Sequence, residues 1–187
     1  MPEFAAPDPS ETDLVLRAKD GDSGAFGDLY ERHLRTVYRY IACRIDDRHD
    51  VEDLTENVFV RAWEAIARYQ PSGVPFRVWL LRIAHNQVVD RYRGQRPVAE
   101  LTETQIDPDA VDIELQLAAF EEQALLRRLM RRLNDEYQQV LALRFVSQLS
   151  HAEAAAVLER TEGAVRVMQH RALAALRQLL ESARQHA

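Results

Sequence analysis

Arg77, Trp79, Arg82, Asn86, Arg91 and Arg93 fall within seventeen residues of one another. Guanidinium groups beside an indole suit unstacked single-stranded bases, which accept stacking, cation–π contact and phosphate pairing. The same spacing also fits a core Trp flanked by solvated Arg, and the residues alone leave both readings open. A second group follows a different logic. Ser150-His151-Ala152-Glu153 has the form of a capping box, in which the Ser side chain takes a backbone N–H and the Glu reaches back. A short helix to Leu158, a turn at Glu159-Arg160 and a new start at Thr161 make a helix-turn-helix pattern. The second helix puts Val165, Met168, Ala172, Leu176 and Leu179 on one face and Arg166, Gln169, His170, Arg171 and Arg177 on the other. Such an outer face offers donors to phosphates and base edges in a major groove. A plain helical hairpin with a charged outer face is the competing reading.

Enzyme chemistry finds little support. No Gly-rich phosphate loop, zinc HExxH or Ser/His/Asp context occurs. The six His (33, 49, 85, 151, 170 and 186) are scattered, and Cys43 is the only thiol. Neither a metal site nor a disulfide framework is expected, and no cofactor is implied. Cys43, among apolar neighbours, reads as a small buried hydrophobe.

The net charge of −6 hides an uneven distribution. Residues 1–60 carry net −7, 61–96 net +5, 97–126 net −8 with no base, and 127–187 net +4. Phosphate affinity follows the local patch and not the total, so two basic islands separated by an acidic strip remain compatible with nucleic acid. Of the 24 bases only Lys19 is Lys. The N-terminus lacks the basic start and apolar run of a signal peptide, and no apolar stretch approaches a membrane span. A cytoplasmic protein with no membrane contact of its own is expected.

These groups need helices to hold them. The apolar fraction is 47%, with no runs rich in Val, Ile and Thr. The pattern predicts an all-α chain: two small helical bundles joined by an acidic flexible linker, the C-terminal one a helix-turn-helix domain. Residues 1–12 read as a flexible tail, 13–94 as the first domain, 95–120 as the linker and 121–187 as the second domain. Thr12 is the expected cap of a helix over 13–19 stopped by Gly21, and Ser23 of one reaching about Asp46. A helix from about His49 to Tyr69 carries the stripe Val51, Leu54, Val58, Ala62, Ala65 and a second one, Phe59, Trp63, Ile66. The loop 70–75 precedes a helix over 76–93 with Phe76, Leu80, Ile83, Ala84 and Val88 inward. Helical patterning resumes near Val111 and runs to Leu133. Asn134 is the expected cap of a helix to Val146.

Taken together, these strings resemble the extracytoplasmic-function sigma factors of the sigma-70 family. Asp50-Val51-Glu52-Asp53-Leu54-Thr55-Glu56-Asn57-Val58-Phe59-Val60-Arg61-Ala62-Trp63 resembles the family's core-binding helix. The stretch Phe76 to Arg93 is similar to its reader of melted promoter. Leu133 to Leu141 and Arg160 to Arg166 are similar to its upstream reader. The family often has Gln where Asn57 stands and Gly where Glu159 stands. The resemblance implies a non-enzymatic subunit that binds core RNA polymerase at the beta-prime clamp and beta flap and directs promoter recognition and melting. An anti-sigma factor is a further expected partner. It implies core contacts by Asp50, Asp53, Leu54, Asn57, Val58, Arg61 and Trp63. It implies minus-ten contacts by Arg77, Trp79, Arg82, Asn86, Arg91 and Arg93, with the loop 70–75 helping to hold a flipped base. It implies minus-thirty-five contacts by Arg160, Thr161, Arg166, Gln169, His170 and Arg171. The acids Glu100, Glu103, Asp107, Asp109, Asp112 and Glu114 would line the polymerase's RNA path. A stand-alone helix-turn-helix regulator is the alternative, and it would need neither the 50–63 helix nor the basic helix at 76–93.

Overall fold

The computed structural model describes residues 8–71, 73–94 and 125–185. They are almost wholly helical, with no strand among the described residues. The first helix, α1 (Pro9–Lys19), begins earlier than expected: Asp8, not Thr12, is its cap, accepting from Ser10 N. Proline at the first turn costs no hydrogen bond there. Gly21, at φ 92°, ends α1 as a Schellman motif, with Gly21 N–H on the Ala18 carbonyl and Asp22 N–H on that of Arg17. Asp22 then caps α2 (Ser23–Ala42), a role expected of Ser23. Helix α2 stops at Ala42, short of Asp46. Asp47 caps α3 (Arg48–Ala65), which tightens into a 3₁₀ turn at Ile66–Arg68. Helix α4 (Phe76–Gly94) has nearly the bounds expected.

Beyond the acidic stretch, whose residues 95–124 lie outside those described, a helical segment at 125–131 leads to α5 (Asp135–Leu141). Asn134 caps it as expected, accepting from Tyr137 N. The ladder then widens to a π turn over Ala142–Val146, where an α-helix to Val146 was expected. Helix α6 (His151–Leu158) starts on the expected capping box: Ser150 Oγ accepts Glu153 N–H, and Glu153 Oε2 accepts Ser150 N–H at 2.7 Å. Thr161 Oγ1 accepts Ala164 N–H at 3.2 Å and opens α7 (Glu162–Gln185).

Helices α1–α4 bury Val15, Leu29, Val37, Tyr40, Ile41, Val58, Leu80 and Val88 among themselves. The second group buries Val140, Leu143, Leu149, Val157, Val165 and Ala172. The two groups are not held apart. Helix α6 packs on α4, the π turn meets α2, and one continuous core runs through both. This packing explains the composition of α4. Its inward stripe was expected to be Phe76, Leu80, Ile83, Ala84 and Val88. Yet Val78 and Leu81 are buried as fully, and the stripe Arg77, Leu81, His85, Val89, Tyr92 lies one helical face round. A helix that is apolar on more than one side is covered on more than one side.

Candidate nucleic-acid interface

Helix α3 sorts its residues by exposure. Asp53, Asn57 and Arg61 are exposed, and Trp63 is 39% exposed with its ring edge-on to Phe26, centroids 5.0 Å apart. Val58 is fully buried and Leu54 is 9% exposed. Those two were expected at a partner surface. In this structure they instead hold α3 to its own bundle, because the α3 stripe at 51, 54, 58 and 62 faces the core. Asp50 is half-buried and paired with Arg91 at the far end of α4. The first turn of α3 and the last turn of α4 are thereby tied together.

The base of loop 70–75 is an aromatic cluster. Tyr69 lies 5.6 Å from Phe76 and 5.1 Å from Trp79, and Phe76 lies 5.4 Å from Trp79. Tyr69 also donates its hydroxyl to the Val74 carbonyl at 2.7 Å. Burial pushes its phenol up to about 12. The loop is therefore anchored at both ends before any ligand arrives. Trp79 is half-buried in this cluster, so its ring props the loop, in keeping with the core position that the residues alone left open beside a base contact. Of the other expected α4 residues, Asn86 and Arg93 are exposed, while Arg82 and Arg77 are half-buried.

In the second bundle, Arg166, His170 and Arg171 point outward from α7, while Val165 and Ala172 are buried behind them. Gln169 departs from expectation. It is half-buried and accepts from Arg144 Nε at 2.8 Å, which fixes the π turn to α7. Arg160 pairs with Glu136 at 3.3 Å, and Arg166 pairs with Glu162 one turn back. Glu159, where the turn must reverse, sits at φ 53° in the left-handed region. Glycine adopts that conformation without strain, whereas a side chain costs about 1–2 kcal/mol there.

The two bundles meet around Arg44, whose side chain is 0% exposed. Its Nη2 reaches Asp135, its guanidinium carbon lies 5.6 Å from the Tyr92 ring, and Tyr92 donates to its carbonyl. His85 Nδ1 lies 3.0 Å from the Tyr40 hydroxyl. Burial first, then the Arg44 charge, holds the His85 imidazole below its ordinary value. Burial pushes the neighbouring Cys43 thiol up to about 11. Beside this group opens a cleft of about 620 Å³, lined among others by His85, Tyr92, Asp135, Glu136, Arg160 and Met168. No cluster of metal-ligating side chains occurs among the described residues.

Two family models match this arrangement in order: Sigma-70 region 2 over residues 29–98, and Sigma-70, region 4 over residues 123–176. The chain belongs to the sigma-70 family. Within it, the chain is similar to the extracytoplasmic-function sigma factors. It is 35% identical over 182 residues to the ECF RNA polymerase sigma factor ShbA of Streptomyces griseus, covering 90% of this chain and 94% of that one. It is 38% identical over 171 residues to the ECF RNA polymerase sigma factor BldN of Streptomyces coelicolor, covering 90% of this chain and spanning 65% of the relative's length. The solved structure of CnrH in complex with the cytosolic domain of CnrY matches with TM-score 0.73 and 30% identity, over 92% of this chain and 98% of that chain. A region 2 match upstream of region 4 speaks against a stand-alone helix-turn-helix regulator, which would account for the C-terminal bundle alone. No helix of the described residues is long and apolar enough to cross a membrane.

Proposed function

We propose that this ECF sigma factor binds core RNA polymerase and gives it promoter selectivity, with no catalytic step of its own, in the cytoplasm. Helix α3 docks on the beta-prime clamp through Asp53, Asn57, Arg61 and Trp63, and the C-terminal bundle on the beta flap. Asn86, Arg82 and Arg93 on α4, with the propped loop 70–75, take up the minus-ten element as separated strands. A base leaving the duplex costs a few kcal/mol, which a preformed loop helps to offset. Helix α7 reads the minus-thirty-five element as duplex through Arg166, His170 and Arg171, with Arg160 and Thr161 near phosphate. An anti-sigma factor is the expected antagonist; the similar protein CnrH has itself been solved in complex with a second protein, the cytosolic domain of CnrY. We divide the chain into region 2 at 13–94, a linker at 95–120 and region 4 at 121–187.

The observation that carries this reading is the pairing of two polar helix faces on one chain. Asn86 and Arg93 are exposed on α4; Arg166, His170 and Arg171 are exposed on α7. Run-off transcription with purified core and a genomic library tests it. Start sites that appear only with the chain present are expected. Transcripts unchanged by its addition would refute the proposal.

A further inference from the structure

Helix α1 carries none of the proposed polymerase or promoter contacts, yet it reaches both ends of loop 70–75. Lys19, the only Lys among 24 bases, donates from Nζ to the Tyr69 carbonyl at 2.6 Å. Tyr69 ends the 3₁₀ turn after α3, where a helix terminus leaves carbonyls without partners and favours a cation. A guanidinium fork matches two-oxygen acceptors, whereas a compact ammonium suits a single carbonyl. Two turns earlier on the same face of α1, Glu11 Oε1 lies 2.7 Å from His33 Nε2, with the two side chains 15% and 7% exposed. The His33 ring in turn lies 5.5 Å from that of Phe76, the first residue of α4. Val15 and Ala18, both buried, fill the stripe between Glu11 and Lys19 and seat α1 on the bundle.

Tyr69 ties the two contacts together. Its carbonyl takes Lys19, its hydroxyl donates to the Val74 carbonyl, and its ring lies against Phe76 and Trp79. Burial first, and then the Glu11 charge, hold its phenol above the ordinary value, so the proton donated to Val74 is kept. Between these anchors, Gly73 N–H donates to the Gln70 carbonyl at 3.1 Å. Helix α1 thus holds the loop by a contact on each side of it.

Resting on the reading of loop 70–75 as the place that takes up a displaced base, we propose that Lys19 and Glu11 are positioning residues for minus-ten recognition. They touch no DNA. Lys19 fixes the backbone where the loop leaves the 3₁₀ turn, and Glu11, through His33, fixes the ring where the loop enters α4. A loop already shaped spares the ordering cost that capture of an extruded base would otherwise add. Loosening either end weakens capture of that base and leaves the chain's other contacts as they are.

Holoenzyme carrying Lys19→Met, which keeps an apolar stem, or Glu11→Ala tests this, with Glu11→Gln as the variant that keeps an acceptor for His33. The probe is a forked minus-ten duplex from a promoter recovered by run-off transcription. An abasic site moved along its non-template strand first locates the captured base with wild-type holoenzyme. On the intact probe, Lys19→Met and Glu11→Ala should bind severalfold more weakly than wild type, and Glu11→Gln should bind like it. On the probe lacking the captured base, all four proteins should bind alike, and all should capture core equally. Amide hydrogen exchange of the full chain should quicken over residues 69–76 in both weakened variants and stay unchanged over α6. Wild-type affinity for the intact probe would strike the residue concerned from this role. A deficit of equal size with and without the base would overturn the proposal, because a chain that is merely less well folded loses both, and so would unchanged exchange over 69–76. If no abasic position weakens the wild type, the base-capture reading of the loop fails and takes the recognition role with it, while exchange still decides whether α1 holds the loop.

Discussion

Glu153 uses its two carboxylate oxygens in different bundles: Oε2 accepts the backbone N–H of Ser150, and Oε1 lies 3.0 Å from Arg77 Nη2 on α4. The residue that starts α6 is thus also the residue that fastens α6 to region 2. Removing the other half of the capping box separates the two roles. Ser150→Ala should cost about 1 kcal/mol of unfolding free energy in denaturant titration, with the Arg77 pair retained. A cost near zero would mean the box contributes nothing to stability.

The left-handed turn at Glu159 predicts a gain. Glu159 is exposed, and its φ of 53° is the reason glycine suits this position. Glu159→Gly should raise stability by about 1 kcal/mol, whereas Glu159→Ala should be near neutral because alanine carries the same Cβ penalty. Equal melting temperatures for the glycine and alanine variants would contradict this.

Acid should weaken the boundary between bundles through His85. Its neighbours there are the Tyr40 hydroxyl, Arg44, Asp135 and Glu159. Its pKa is lowered in the folded chain, so the folded state binds fewer protons than the unfolded one in this range. The stability contribution is fully present above the ordinary value near 6.5 and shrinks as pH falls through the window below it. Thermal melts between about pH 7.5 and 5.5 should therefore show falling stability. His85→Gln should flatten that slope; an identical slope in the variant would assign the effect to another group.

Two substitutions on α3 should part folding from binding. Val58 is fully buried, so Val58→Ala removes two methyl groups from the core and should cost about 2 kcal/mol. Asn57 and Arg61 are exposed, and replacing both with Ala should leave the melt unchanged while weakening core polymerase capture in a pull-down. A destabilised Asn57/Arg61 variant, or one that captures core normally, would break this division.

The sequence made some features legible and hid others for physical reasons. Asn134, the Ser150–Glu153 box and the Val165/Ala172 face were readable because each rests on contacts within one or two turns. At 22 and 23 an Asp and a Ser stood side by side, either of which can accept the orphan N–H groups, and Asp22 took the role; at the first helix the start moved back four residues from Thr12 to Asp8, because Pro9 fits the first turn. Helix α4 was harder. Its Phe76-to-Val88 stripe gave it one inward face, and the remaining apolar residues had no visible partner, because that partner lies some seventy residues downstream on α6. The fact that could have exposed this was Leu81, Val89 and Tyr92 recurring beside Arg77 on a helix supposed to face water. Trp79 and Gln169 have types that suit bases, and their half-buried contacts with Tyr69 and Arg144 depend on partners 10 and 25 residues away that no local pattern displays.

Arg44 sets the character of the whole assembly. Its guanidinium is sealed from solvent, and its Nε and Nη1 reach no acceptor among the described residues. A sealed cation with one carboxylate and an aromatic ring forfeits much of its hydration. Any parting of α5 from α2 would return that hydration and offset part of what the separated apolar surfaces lose. The protein therefore carries, at the centre of its seam, a guanidinium that would be better solvated outside it, so the seam gains less from burial than its apolar area alone implies.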